Sequence, residues 1–280
     1  MLKHIVFIIL ALYHSHVTAT EPIKIVTTIT PLASIAAMIL GDEEVSISAI
    51  NNVAGCPHHH SLKFSEREKI NNADYFIYID RYFDNPLANA PREFAGHKIE
   101  ISKLQSINFQ ADNNEINWHF WLNLDNVIAL CKELSFIFCQ NTPHLKPQII
   151  KNTHNAIQKI QELKQYKDQN LQHLVPLLIT SDSLEHFFTG VDADITYIYK
   201  KSIQSLGQYH LLEDFLATKK KHVVVADIQQ NINLYKKFKL DIVQLDSENW
   251  HIEPNRDKYS ELFIKKYLLM INQLKDFKQE

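Results

Sequence analysis

"PQIIKNTHNAIQKIQELKQYKDQNL" (147–171) divides the chain and decides how the rest of it is read. The stretch has no glycine and no internal proline, and Ile149, Ile150, Ala156, Ile157, Ile160 and Leu163 recur at helical spacing. That pattern predicts a single helix of about 25 residues. On its N-terminal side strands and helices alternate. "IKIVTTI" (23–29) reads as a buried strand, "PLASIAAMIL" (31–40) as a helix with Pro31 at its start, and "VSISAI" (45–50) as an alternating strand. "SEREKINNA" (65–73) opens a helix with a capping box of Ser65 and Glu68. "DYFIYI" (74–79) and "HKIEI" (97–101) are strands, and "LDNVIALCKELSFIF" (124–138) is a helix. On the C-terminal side the strands resume with "LVPLLIT" (174–180), "DITYIYK" (194–200), "HVVVADI" (222–228) and "LDIVQLD" (240–246). A last helix is expected over 257–277. Two alternating runs split by one long helix imply an α/β fold of two lobes, with mainly parallel sheets joined by that connecting helix.

The N-terminus, "MLKHIVFIILALYHSHVTAT" (1–20), has a basic start at Lys3, an apolar core from Ile5 to Tyr13 and a polar, small-residue end. This is the layout of a secretory signal peptide, with cleavage expected after Ala19 or Thr20. The apolar run falls short of the roughly 20 residues a membrane span needs. No cysteine stands at the cleavage region, so no lipid anchor is expected and the mature protein is read as exported and periplasmic.

The net charge is −3 and no basic block is present, which argues against a nucleic-acid partner. Only five glycines occur, and no Gly-rich loop ends in Lys-Ser or Lys-Thr, which excludes an ATPase as far as motifs can. The cysteines are Cys56, Cys131 and Cys139. In one helix Cys131 and Cys139 would lie about 12 Å apart, too far for a disulfide, so both are expected as buried thiols.

Four potential metal ligands stand at the ends of apolar runs: His58, His119, Asp182 and Asp246. Two imidazoles and two carboxylates suit zinc, manganese or ferrous iron. Their separations of 61, 63 and 64 residues mean that only a tertiary fold could gather them. Asp182 follows one predicted strand and Asp246 closes another, and parallel sheets bind ligands at the carboxyl ends of their strands. Asp182 could instead cap the helix that follows, and Asp246 could cap its own loop. Cys56, His59, His60 and His186 are the neighbouring candidates.

Within these segments, "GCPHHHSLKFSEREKINNADYFIYI" (55–79) resembles the first-ligand segment of the metal-binding solute-binding proteins of ABC importers, the zinc/manganese/iron class. Pro57, His58, Ser65, Ala73 and Asp74 carry that likeness. "NWHFWLNLDN" (117–126) resembles the second-ligand motif around His119, with Trp121, Leu122 and Asn123 in place and Trp118 and Leu124 replacing two prolines. "ITSDSLEHFF" (179–188) is similar to the third segment and puts Asp182 in the ligand position. "VQLDSENW" (243–250) resembles the fourth, with Asp246 as ligand.

The resemblance implies a periplasmic metal-capture protein, not an enzyme, working as a monomer. Its parts would be a signal peptide (1–20), an N-terminal metal-binding lobe (21–142), the linking helix (143–172) and a C-terminal metal-binding lobe (173–280). Zinc or manganese would be the transported ligand, with ferrous iron also compatible, and a membrane permease with a separate ATPase would receive it. Zinc-uptake members carry histidine at the third position and a His-rich loop before the second ligand. Asp182 and the histidine-free "QSINFQADNNEI" (105–116) depart from that and shift the chemistry toward manganese or iron, although intrinsic affinity favours zinc over manganese. Because histidines must be neutral to bind, affinity should fall below about pH 6.5, the ordinary histidine value. A secreted interaction protein with a structural metal is the main alternative. A metallohydrolase is the weaker one, since four protein ligands leave little open coordination and no HExxH helix occurs.

Overall fold

The computed structural model describes residues 21–51, 62–84, 94–110, 115–199, 206–217, 221–236, 240–253 and 257–279. Residues 1–20 and the segment 52–61, which carries Cys56, His58, His59 and His60, lie outside the described residues. The first half builds a parallel sheet from β1 (Ile23–Ile29), β2 (Val45–Asn51), β3 (Tyr75–Tyr78) and β4 (His97–Glu100), in the order β2-β1-β3-β4. The second half repeats the plan with β5 (Leu174–Ile179), β6 (Ala193–Tyr197), β7 (Val223–Asp227) and β8 (Asp241–Leu245), in the order β6-β5-β7-β8 and again all parallel.

Central strands covered on both faces should be apolar runs without alternation. β5 and β7 are buried along their whole length, and β1 from Ile25 onward. Pro176 sits inside the central strand β5, where it can donate no ladder hydrogen bond. The register against β6 shifts between Leu174 and Leu177, which is how the sheet accommodates it.

Between the sheets lie the helices α1 (Thr30–Leu40), α3 (Leu124–Asn141), α4 (Lys146–Asn170) and α8 (Tyr259–Leu274). All eleven residues of α1 are buried, and its small side chains Ala33, Ser34, Ala36 and Ala37 admit close neighbours. It ends at Gly41, whose φ of 93° is open to glycine and strained for other residues, with the Gly41 N–H bonded to the Ala37 carbonyl. The hydroxyl of Ser34 accepts from the Phe263 N–H (2.8 Å) and donates to the Tyr259 carbonyl (2.6 Å), so α8 returns from the second half to lie on α1.

The long helix α4 packs on α1, α3 and α8 through Ile149, Thr153, Ala156, Ile160, Leu163 and Lys167, a stripe with steps of three and four. Side chains from both sheets belong to one continuous apolar cluster that runs from Ile25 through Trp121 and Ile179 to Leu274.

The structure corrects several local expectations. Ile150 lies off the buried stripe and is 53% exposed. The helix expected to be capped by Ser65 and Glu68 is α2 (Phe64–Asn71), whose cap is Lys63, two residues earlier. Its box is closed by the Glu66 carboxylate accepting from the Lys63 N–H (2.8 Å), leaving Ser65 inside the first turn. Cys131 is buried as expected, but Cys139 is only half-buried, and both are free thiols. The helix expected after Asp182 is the short α5 (Glu185–Phe188), and two further helices went unanticipated: α6 (Leu206–Ala217) and α7 (Asn233–Lys236).

Candidate metal centre

His119 stands at the entry to a 3-10 turn, Phe120–Leu122, which leads into α3. Asn123 caps that helix by accepting from the Asp125 N–H. The His119 ring is wedged edge-on to Phe83 (centroids 5.7 Å apart) and tilted against Trp121 (5.2 Å), so its plane has little freedom. Its side chain is 15% exposed.

Asn117 decides which ring nitrogen is offered. Its Nδ2 donates to the Asp182 carbonyl (2.7 Å) and to Glu185 Oε2 (3.0 Å), which identifies the other amide atom as the acceptor oxygen. That Oδ1 lies 3.0 Å from both His119 N and His119 Nδ1. A neutral His119 therefore carries its proton on Nδ1 and presents the lone pair of Nε2 outward, the arrangement found for metal-binding histidines.

Several carboxylates of the second half gather around this region at strand ends, where parallel sheets place their ligands. Glu248, in the turn after β8, is buried. Its Oε2 lies 3.7 Å from His119 Nε2, while its Oε1 accepts from Gln229 Nε2 (2.7 Å). Asp227 closes β7 and accepts from the N–H groups of Gln229 (2.8 Å) and Ser247 (3.2 Å). Asp246 is half-buried and uses Oδ1 to accept from the Asn249 N–H (2.8 Å). Burial raises the carboxyl pKa of Asp227 and of Asp246, with the backbone hydrogen bonds opposing it. In the first half, Asp84 beside Phe83 is pushed up to about 7, chiefly by burial.

Asp182 opens the 3-10 turn that follows β5, and its side chain is exposed. It does not act as the cap of that turn, a position held by Ser181. Glu185, three residues on, is buried and bonded to Asn117 and to the Tyr199 hydroxyl. His186 is 2% exposed with Nε2 at 3.1 Å from the Asn117 carbonyl, so it holds the 117 loop instead of facing open space.

Asn117 thus ties the His119 loop to residues 182, 185 and 186. Trp121 Nε1 ties the same loop to the Ser247 carbonyl (2.8 Å). His58 lies outside the described residues. Among the described residues, no three histidine, cysteine, aspartate or glutamate side chains converge closely enough to hold a metal. Sequence reading passed over Asn117, Glu185, Asp227 and Glu248. The available signal was positional: Asn117 is two residues before His119, and Glu248 two after Asp246.

The family model described as "ZnuA: Zinc-uptake complex component A periplasmic" matches residues 25–273. RP014, an uncharacterized protein of Rickettsia prowazekii (strain Madrid E), is 33% identical over 276 residues, covering 98% of this chain and 89% of its own. The manganese ABC transporter substrate-binding lipoprotein PsaA of Streptococcus mitis is 23% identical over 202 residues, covering 67% of this chain and 65% of PsaA. Among solved structures, the periplasmic zinc binding protein TroA from Treponema pallidum matches with a TM-score of 0.72 at 14% identity, over 92% of this chain and 99% of TroA. The TroA likeness carries the fold, and the family model carries the assignment. The chain belongs to the ZnuA family, the periplasmic metal-binding solute-binding proteins of ABC importers, which are binding proteins and not enzymes.

Proposed function

We propose that this protein captures a divalent transition metal in the periplasm and hands it to the membrane permease of an ABC importer whose ATPase is a separate chain. The observation that carries the reading is His119, with Nδ1 pinned by Asn117 and Nε2 turned toward the second-half carboxylate of Glu248. His58 and His119 would supply imidazole from one side, and second-half carboxylates would complete the set from the other, the motif offering Asp182 and Asp246 for those places. Such a donor set accepts zinc and manganese, with ferrous iron as a third candidate. The relatives' names point the same way, zinc for the family model and manganese for PsaA. No helix among the described residues is long and apolar enough to cross a membrane, which fits a protein exported past it.

The test is metal analysis of the mature protein purified without denaturation, by inductively coupled plasma mass spectrometry. About one equivalent of zinc, manganese or iron is expected in the wild type. It should be lost in His119→Ala and reduced in Asp182→Ala. No stoichiometric metal after reconstitution with all three would refute the reading.

A further inference from the structure

The structure assigns Glu248 to the metal shell as the carboxylate that meets the ion at His119, the place the sequence motif gives to Asp246; this rests on the metal-capture reading above. Three observations carry it. In the neutral tautomer set by Asn117, His119 Nε2 bears a lone pair and no proton, and it lies 3.7 Å from Glu248 Oε2. That distance is beyond hydrogen-bond range. Two donor atoms bound to one tetrahedral metal at about 2.1 Å stand about 3.4 Å apart, so a cation between them needs only a few tenths of an ångström of adjustment.

Second, the other oxygen of Glu248 is already fixed by Gln229 Nε2, whose own backbone N–H is held by Asp227. A carboxylate bound to metal through one oxygen is commonly oriented through the other in this way. Third, Asp246 uses one carboxylate oxygen inside its own turn. Its Oδ1 closes the turn on the Asn249 N–H, and its carbonyl accepts from Trp250 Nε1 (2.9 Å). Asp246 shapes the turn and Glu248 reaches out of it. A glutamate in this position has one methylene more than aspartate, which suits a donor reaching from the turn after β8 to the His119 loop.

The experiment compares mature wild type with Glu248→Gln, Glu248→Asp and Asp246→Asn. Zinc affinity is measured by competition with a fluorescent chelator, and the visible absorption of the cobalt(II)-loaded proteins reports the donor set directly. Circular dichroism of the metal-free proteins confirms folding. Glu248→Gln is expected to weaken zinc binding about 100-fold or more and to change the cobalt spectrum, with Asp246→Asn within about threefold of wild type. Glu248→Asp keeps the carboxylate on a shorter arm and should fall between them. It serves as the deciding variant if the glutamine protein does not fold.

Wild-type affinity in Glu248→Gln overturns the assignment and leaves an ion pair with a protonated His119 as the meaning of the contact. Weaker binding with an unchanged cobalt spectrum also overturns it, making Glu248 a positioning residue. So does a larger loss in Asp246→Asn than in Glu248→Gln. A wild type that binds neither ion removes the metal-capture reading itself, an outcome distinct from the others.

Discussion

At the scale of single residues, the chemistry turns on which atoms the fold leaves available. His119 was legible because Trp121, which packs against its ring, stands beside it in the motif, whereas Phe83, which also holds the ring, comes from outside it. The choice between Asp246 and Glu248 was not legible. In "LDSENW" both carboxylates are present, and only the turn geometry shows which one Asn249 occupies. Asn117 was hidden for a similar reason, since its partners are 65 and 68 residues away.

Asp84 offers a test by pH. It is 2% exposed, accepts from the N–H groups of Ile79 (2.7 Å) and Asp80 (3.2 Å), and is pushed up to about 7 by burial. Its unfolded value is about 3.9, so between those two values the folded chain keeps a proton that the unfolded chain has released. Folding is thus favoured at the acid end, and this contribution is lost as pH rises through about 7, at up to roughly 1.4 kcal/mol per pH unit. Asp84→Asn removes the titration. In the metal-free protein, the melting temperature of the variant should rise relative to wild type from pH 4.5 to 7 and run parallel above that. Parallel curves over the whole range would contradict it.

At the scale of elements, the parallel strands were legible because burial on both faces leaves a plain apolar run, and α4 because its stripe is long. α6 was not legible, because "LGQYHLLEDFLA" places a glycine in its first turn and lacks a clear apolar face. The position of β4 depends on a contact invisible in sequence. A Cβ on Gly96 would come within 2.5 Å of the Ala73 carbonyl oxygen and 2.7 Å of that of Asp74, both backbone atoms that cannot swing aside. The His97 N–H bonds to the same Asp74 carbonyl (2.8 Å). Gly96→Ala should therefore push the edge strand outward and cost about 1–3 kcal/mol. In thermal melts this would appear as a loss of about 3–10 °C, with one equivalent of metal still bound. An unchanged melting temperature would show that β4 shifts freely.

For the whole molecule, two sheets of identical strand order suggest two separable units, yet the packing binds them into one. α8 comes back to α1 through Ser34, Asp42 accepts from Ser260, and the Tyr267 hydroxyl reaches the Leu122 carbonyl (2.7 Å). With one continuous apolar cluster beneath both sheets, the chain should unfold in a single transition. Far-ultraviolet circular dichroism and tryptophan fluorescence should then give the same denaturant midpoint; two separated midpoints would mean that the halves melt independently. The sequence pointed to two lobes and a connector, but it held no sign that the final helix crosses over, because that contact joins residues more than two hundred positions apart.

One detail of that packing has a practical side. Trp121 and Trp250 are both fully buried, and their indole N–H groups donate to the carbonyls of Ser247 and Asp246 in the same turn. An indole keeps an apolar body and one polar handle, and its emission wavelength follows what that handle touches. Any movement of residues 246–248 is thereby written into the protein's own light. On the metal-capture reading, binding of the ion beside this turn is expected to shift that emission, with no attached dye.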